Sequence, residues 1–187
     1  MSAMSERYEI RVAGSGGQGA ILAAIIIGQA AALMEKDLNA VQTQAYGPEA
    51  RGGASKAEVV LARGEIDYPK ATHPDLLVSL TQKASDEYAK DTTKGGIIIL
   101  DDFFVTEPPK TEAEVFILPI VSKARELGRE MVTNMVALGT VARVLEVKSL
   151  MRPDSLRKAV LMNVPKGTEE LNGEAFDEGY KMMKEKK

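Results

Sequence analysis

The hydrophobic pattern of the first third of the chain predicts strands alternating with a helix. A strand is expected at 8–13, and it runs directly into a glycine cluster at 14–19. The helix that follows, to about Met34, is apolar on every side, which is typical of a helix lying between a sheet and a further layer. A second strand is expected at 38–44, and alternating residues at 56–62 predict a third.

Short apolar runs in the middle of the chain predict buried strands. The runs at 75–80 and 96–100 are nearly continuous, as in a parallel sheet covered by helices on both faces. A short helix is expected between them at 83–90, and a further strand at 115–118. Asp154 and Thr168 are predicted to cap two helices. The first of these two helices is predicted to run from Asp154 through about Met162, and the second to follow Thr168. Two further helices are predicted at 123–127 and at 134–145.

This order of elements predicts an α/β fold. We expect a three-layer, Rossmann-like domain with a mainly parallel sheet and helices on both faces. No linker or internal repeat divides the chain, so residues 1–187 are predicted to form one domain, with the C-terminal helices of about 134–187 packed on it. Ligands of such sheets bind beyond the carboxyl ends of the strands. That edge is expected to carry the loops at 14–19, 45–55 and 80–83.

The composition disfavours several classes of function. The 187 residues include 24 basic and 27 acidic side chains, a formal net charge of −3, which argues against a nucleic-acid binder. The longest near-apolar run, 20–34, is shorter than the ~20 residues needed to span a bilayer. A cytoplasmic protein with no membrane contact is therefore expected.

The absent residue types limit the chemistry further. With no cysteine, the chain cannot form a disulfide, a thiolate zinc site or a cysteine-held iron–sulfur cluster. The single histidine, His73, is expected in a turn rather than in catalysis. The acidic pair at 101–102 follows a predicted strand, where a turn or a helix cap is favoured over a metal site. No catalytic residue and no metal site are predicted.

The glycine cluster is the first candidate site. Gly14, Gly16 and Gly19 match G-x-G-x-x-G between a strand and a helix, where the free N–H groups of a helix can bind an anion. A dinucleotide site also needs an acid at the end of the second strand, and residues 41–44 contain none. A structural turn, a phosphate-bearing ligand and a partner chain remain open. Gln18 can cap N–H groups or reach outward. The candidate residues are Gly14, Gly16, Gly17, Gln18 and Gly19.

The turn-rich stretch after the second strand is the second candidate site. Arg51 is framed by glycines, and its planar guanidinium can bind a carboxylate or a phosphate. The alternative is that Arg51 pairs with Glu49 or a neighbouring carbonyl. The candidates in this loop and in the strand before it are Gln42, Gln44, Tyr46, Glu49, Arg51, Gly52 and Gly53.

Together, the motifs resemble one family. The runs GSGGQG at 14–19 and QTQAYGPEARGGAS at 42–55 are similar to those of the gamma subunit of 2-oxoacid:ferredoxin oxidoreductases. The second run looks most like the 2-oxoglutarate type, with pyruvate or another 2-oxoacid as the alternative. The resemblance continues at 66–69, 81–82, 134–139, 171–172, 175–176 and 179–180.

The resemblance implies a multi-subunit enzyme. The whole complex would convert 2-oxoglutarate, coenzyme A and oxidised ferredoxin to succinyl-CoA, carbon dioxide and reduced ferredoxin. Alpha and beta subunits and a ferredoxin-like delta subunit would hold thiamine diphosphate, magnesium, the iron–sulfur clusters and coenzyme A. This chain would bind no cofactor alone and would present its two candidate loops to its partners. The absence of cysteine agrees with this division of roles.

Two other functions remain open at the level of sequence. One is a stand-alone Rossmann-type nucleotide-binding module, and the other is a purely architectural subunit without ligand contacts. Titration of the isolated chain with NADH or NADP separates the first from a gamma subunit, which is expected to bind neither tightly.

Arg51 provides the first testable prediction. Arg51→Ala in the reconstituted complex should raise the Michaelis constant for coenzyme A or weaken assembly, because a candidate anion contact is removed. Steady-state kinetics and size-exclusion chromatography measure the two effects. If neither quantity changes, Arg51 has no such role.

Overall fold

A central six-stranded sheet organises the chain. The computed structural model describes residues 7–45 and 54–185. The strands are β1 (Arg7–Gly14), β2 (Asn39–Ala45), β3 (Ser55–Ala62), β4 (Leu76–Ser79), β5 (Ile97–Asp101) and β6 (Glu114–Leu118). All of them lie within two residues of the strands expected from the hydrophobic pattern.

The strand order is β2-β3-β1-β4-β5-β6. The strands β1, β4, β5 and β6 are parallel to one another, whereas β3 is antiparallel to both β1 and β2. In register, Val12 of β1 lies between Ala57 of β3 and Val78 of β4. The prediction of an α/β fold with a mainly parallel sheet is confirmed, with β3 as the antiparallel exception.

Helices cover the two faces of the sheet unequally. The helices are α1 (Ala20–Met34), α2 (Gln82–Tyr88), α3 (Ile120–Glu126), α4 (Thr133–Val147), α5 (Pro153–Asn163) and α6 (Glu169–Glu185), with short 3-10 turns at Ala89–Asp91 and Glu130–Val132. Leu76 and Val78 of β4 face the large core that contains α1 and α3–α6. Leu77, between them, faces the smaller core beneath α2. This alternation is that of a strand buried on both faces.

The apolar helix α1 occupies the central layer, as its sequence predicts. It contacts the strands β1, β2 and β3 on one side and the helices α4 and α5 on the other. Small buried residues, among them Ala24 and Ala31, let it lie close to both layers. Its exposed residues are Ala32 and Leu33, near the C-terminal end.

Two helix starts differ from their predicted positions. Asp154 does not cap α5, because the helix already includes Pro153 and is flanked by Arg152. Proline suits this place, since its fixed φ and missing N–H cost nothing in a first turn. The helix α3 begins three residues earlier than expected, at Ile120. Its cap comes from a remote residue, because Asp101 Oδ1 accepts a hydrogen bond from Val121 N at 2.8 Å.

Asp101 is thus a structural cap, the role favoured for it in the sequence. Its other oxygen accepts hydrogen bonds from Phe103 N at 3.1 Å and Phe104 N at 3.0 Å, and the side chain is fully buried. The last helix, α6, begins directly after Thr168 as predicted. The Thr168 hydroxyl donates to the Pro165 carbonyl at 2.7 Å.

The helices α4 and α6 touch backbone to backbone at two glycines. A Cβ atom placed on Gly179 would lie 1.9 Å from the carbonyl oxygen of Val136, and one on Gly139 would lie 2.0 Å from that of Phe176. Neither position has room for a methyl group. The close packing of these two helices therefore requires glycine at both positions.

The substitution Gly179→Ala should destabilise the fold by about 2–3 kcal/mol, because the added methyl group would force α4 and α6 apart. Gly173→Ala is the matched control on the same helix. There the tightest contact of the new Cβ would be with the end of the flexible Arg157 side chain, at 3.0 Å, and Leu161 Cδ2 would lie at an ordinary contact distance of 3.5 Å. Alanine is also the better helix former, so the control should be neutral or stabilising. Denaturant unfolding measures both, and equal stabilities would contradict the predicted contact.

Candidate functional site

The glycine loop joins the end of β1 to the start of α1. Gly17 has φ 89° and Gly19 has φ 75°, in the left-handed region that glycine adopts without strain. Gly19 is also the residue that flanks the first turn of α1, and no side chain caps that turn. The loop therefore depends on glycine at these two positions.

Gln18 fastens the loop to the neighbouring strand. Its Oε1 accepts a hydrogen bond from Ser15 N at 2.8 Å, and its Nε2 donates to the Leu80 carbonyl at 3.4 Å. A Cβ on Gly14 would lie 2.5 Å from Oε1 of this amide. Of the two roles left open for Gln18, the structure shows the capping role, because both ends of the amide are bonded to the chain.

The start of α1 offers backbone donors. In the loop, Gln18 N donates to the Ser15 carbonyl at 3.3 Å. In the helix, the first N–H group to donate a hydrogen bond is that of Ala23, which donates to the Gly19 carbonyl at 2.9 Å. Within residues 7–45 and 54–185, the N–H groups of Gly16, Gly17 and residues 20–22 have no acceptor. Because the helix dipole adds positive potential at this end, these groups are suited to an anion.

A concavity of about 460 Å³ lies against this loop. One wall is the backbone of the glycine loop, and the other is formed by apolar side chains of α1. Its lining residues are Ser15, Gly16, Gly17, Gly19, Ala20, Ile21, Leu22, Ile25 and Ser55. A ligand with an anionic group and an apolar part matches both walls.

The two glutamines of β2 occupy different surroundings. Gln42 lies in the middle of the strand beside α1. A Cβ placed on Gly28 of that helix would be 3.8 Å from the Cβ of Gln42. Its Nε2 is buried without an acceptor among the described residues. Gln44 lies two residues nearer the end of the strand and is exposed. Only Gln44 is therefore close to the edge that was predicted for both.

The second candidate loop begins and ends at the same edge of the sheet as the glycine loop. Ala45 ends β2 and Ser55 begins β3, where Ser55 is paired with Gly14. The Ser55 hydroxyl donates to the Gly14 carbonyl at 3.2 Å. The predicted site residues that lie outside the described residues are Tyr46, Glu49, Arg51, Gly52 and Gly53.

One residue at this edge was missed as a site candidate. Asn134, at the start of α4, touches the glycine loop: a Cβ on Gly19 would lie 2.4 Å from its Nδ2. The signal in the sequence was an asparagine at the start of the motif 134–139. Hydrophobic periodicity could not place that residue beside Gly19, because the contact joins segments more than a hundred residues apart.

A buried ionic network supports β1 on the face of α2. The Arg11 guanidinium bonds Glu58 Oε1 at 2.8 Å, Asp91 Oδ2 at 2.7 Å and the Ala71 carbonyl at 2.9 Å. It also lies 5.3 Å from the centre of the Tyr88 ring. Burial, followed by the hydrogen bond to Glu87, raises the pKa of Tyr88 to about 12. Tyr88 therefore stays neutral, and the network is structural.

Other candidate chemistry is absent from the described part of the chain. Within residues 7–45 and 54–185, no group of three or more histidine, aspartate or glutamate side chains could hold a metal ion. His73 lies in a turn, where its backbone N donates to Glu9 at 2.9 Å. Among the helices described, none is long and apolar enough to cross a membrane.

Comparison with known proteins assigns the chain to a family. A family model described as pyruvate ferredoxin/flavodoxin oxidoreductase matches residues 9–182. The chain is 46% identical over 182 residues to the 2-oxoglutarate synthase subunit KorC of Methanocaldococcus jannaschii, an alignment that covers 96% of this chain and 95% of the relative.

Solved structures agree with this assignment. The gamma subunit of keto/oxoacid ferredoxin oxidoreductase from Geobacter sulfurreducens matches with a TM-score of 0.85 and 40% identity, over 95% of this chain and 96% of that one. A 2-oxoglutarate:ferredoxin oxidoreductase from Magnetococcus marinus shares the fold, with a TM-score of 0.82 at 22% identity, over 95% of this chain and 31% of that one. The chain belongs to the pyruvate ferredoxin/flavodoxin oxidoreductase family, and its resemblance to gamma subunits is confirmed.

Proposed function

We propose that this chain is the gamma subunit of a 2-oxoglutarate:ferredoxin oxidoreductase. The complex would convert 2-oxoglutarate, coenzyme A and oxidised ferredoxin to succinyl-CoA, carbon dioxide and reduced ferredoxin. The observation that carries this proposal is the near full-length identity of 46% to a 2-oxoglutarate synthase subunit. The substrate is the finer part of the proposal, and pyruvate or another 2-oxoacid is its alternative.

The chain's own contribution would be a binding surface at the carboxyl edge of the sheet. The N–H groups of Gly16, Gly17 and the first turn of α1, which have no acceptor among residues 7–45 and 54–185, would bind an anion, namely a phosphate of coenzyme A or a carboxylate of a partner subunit. Gln18 would hold the loop in place through its bonds to Ser15 and Leu80. The apolar wall of α1 would contact the less polar part of the ligand or partner.

The cofactors of the reaction would be held by other subunits. Thiamine diphosphate with magnesium would supply the carbanion chemistry at the 2-oxo carbon, and the described residues of this chain offer no cluster of acids to hold its metal. The sequence contains no cysteine to ligate an iron–sulfur cluster. Alpha, beta and ferredoxin-like delta subunits are the proposed partners, in a cytoplasmic complex.

A stand-alone dinucleotide-binding module has less support. In such a module the second strand lies beside the first, and its terminal acid binds the ribose. Here β3 separates β2 from β1, and no acid ends β2. In the described part of the chain, the place where the ribose would be bound is therefore not formed.

Purification from the native host tests the proposed complex. A brown preparation with several co-eluting chains should reduce a viologen dye when both 2-oxoglutarate and coenzyme A are supplied. Replacing 2-oxoglutarate with pyruvate is the control for substrate choice, and should give much slower reduction. A colourless protein that elutes alone would contradict the proposal.

The glycine loop itself can be tested with a pair of variants at Gly16. A Cβ at this position meets nothing within 4 Å among the described atoms, so both variants should fold normally. Gly16→Asp places a negative charge at the helix N-terminus and should raise the Michaelis constant for coenzyme A by about tenfold. Gly16→Ala adds only a methyl group and should change it by less than about twofold, well under the 1.4 kcal/mol of a tenfold effect. Equal constants in the two variants would show that coenzyme A does not bind here.

A further inference from the structure

One side of α1 is apolar although the rest of the described fold does not bury it. The helix contains no charged residue, and Gln29 is its only polar side chain. Apolar residues that are half-buried or exposed recur along this side, and at roughly 100° per residue they lie within an arc of about 140°. We call this surface the α1 face, which consists of Ile21, Leu22, Ile25, Gly28, Ala32 and Leu33.

The lack of charge on this face distinguishes α1 from the other long helices. In α4, which is also 15 residues long, the residues that are not buried are Arg143, Glu146 and Val147. Every exposed residue of α6 is a glutamate, an aspartate or a lysine. Even the Gln29 amide beside the α1 face is engaged, because its Oε1 accepts a hydrogen bond from Asn163 Nδ2 at 2.6 Å. A helix side that faces water normally carries polar residues, so the α1 face is typical of a contact surface.

The α1 face begins in the concavity at the glycine loop. Ile21, Leu22 and Ile25 form the apolar wall of that concavity. Leu33 lies at the other end of the face and is 69% exposed. At 1.5 Å per residue, the face extends for about 18 Å along the helix. An anion bound at the loop covers only its first turns, whereas its full length matches the surface of another protein chain.

Longer relatives indicate which chain this is. In the protein from Magnetococcus marinus, the fold of this chain corresponds to 31% of one longer chain. The ketoisovalerate oxidoreductase subunit VorA of Methanothermobacter marburgensis is similar in this respect. It is 32% identical over 132 residues, which cover 71% of this chain and 27% of that relative. In both proteins the remainder of the polypeptide is therefore joined covalently to this fold.

The KorC relatives do not carry that remainder. The alignment with the subunit of Methanocaldococcus jannaschii covers 95% of the relative, which leaves no room for a further domain. A subunit of this size has to hold the same neighbour by non-covalent contacts. Burial of apolar surface is the main source of the free energy of such contacts, and the core of an interface is depleted of charged residues. The α1 face meets both requirements.

We propose that the α1 face is the docking surface for one other subunit of the complex, namely the subunit that corresponds to the remainder of these longer chains. This inference rests on the proposed function, and it names the surface that holds the gamma subunit in place. The partner presents an apolar, uncharged surface to α1. Docking on this face puts the anion site of the glycine loop at the junction of two subunits.

Two lysine variants in the assembled complex test this surface. Leu33→Lys and Ala32→Lys each place a charge on the α1 face. The dissociation constant of this chain from the complex should rise by about tenfold in each variant, because the buried ammonium group loses its water without gaining a partner. Mass photometry of the complex in a dilution series measures this constant. The isolated variants should melt within about 2 °C of the wild-type chain, since both positions are exposed.

Val147→Lys is the matched control. Val147 is 62% exposed and is the last residue of α4, as Leu33 is the last but one of α1. A lysine suits the C-terminal turn of either helix, because it complements the helix dipole. The control should therefore fold equally well and should change the dissociation constant by less than about twofold.

Crosslinking identifies the partner. A photo-reactive amino acid introduced at position 33 in the complex should crosslink this chain to the subunit whose sequence matches the remainder of the longer chains, and the same amino acid at position 147 should not. A crosslink between two copies of this chain would overturn the inference in favour of a homodimer. Equal dissociation constants for Leu33→Lys, Ala32→Lys and Val147→Lys would also overturn it.

The wild-type chain separates a failure of this inference from a failure of the proposed function. If the wild-type chain assembles with other subunits and the lysine variants on α1 do so equally well, the proposed complex stands and only the α1 face is refuted. If the wild-type chain elutes without any other subunit, the proposed function is wrong and the inference is refuted with it.

Discussion

The contact between the backbones of α4 and α6 is the constraint on which the candidate site depends. Gly139 and Gly179 bring the two helix axes as close as their main chains allow. This contact places the start of α4, where Asn134 lies against Gly19 and so beside the first turn of α1. A methyl group between the helices would therefore also disturb the glycine loop, although neither Gly139 nor Gly179 is near that loop in sequence.

The position of the antiparallel strand β3 also has a consequence for function. Because it is inserted between β1 and β2, the end of β2 and the start of β3 lie at the same edge of the sheet as the end of β1, where Ser55 bonds Gly14. The same insertion separates β2 from β1 and so removes the geometry of a dinucleotide site. The buried guanidinium of Arg11 joins β1 to β3 through Glu58 and stabilises this arrangement on the opposite face. One topological feature thus favours an interface for an anion over a nucleotide-binding unit.

The chemistry of the chain agrees with a subunit that positions rather than reacts. Two of the titratable groups buried in the described residues are held by partners, since Arg11 is bonded to two carboxylates and Asp101 caps a turn and α3, whereas the Tyr8 hydroxyl has no partner there. Among the described residues, the unpartnered buried side-chain atoms are Tyr8 OH, Gln42 Nε2, Ser85 Oγ, Thr92 Oγ1 and Asn134 Oδ1. The backbone N–H groups of Gly16, Gly17 and the start of α1 also have no acceptor there. Backbone N–H groups at a helix start can bind an anion. This is the role proposed for the loop, with the bond-breaking steps proposed to lie with cofactors on other chains.

The sequence by itself determined the fold class, the strands, the glycine turn and the family, because these follow from local periodicity and from motifs. It did not determine the cap of α3 or the neighbour of Gly19, since Asp101 and Asn134 act on segments that are distant in the chain. Asp154 was wrongly predicted as a cap because local residue preference could not show that Pro153 already belongs to the helix. Only the tertiary structure decided which strands are adjacent and which buried polar atoms stay unpaired. Both depend on how the helices and strands pack against each other, a property that no single segment carries.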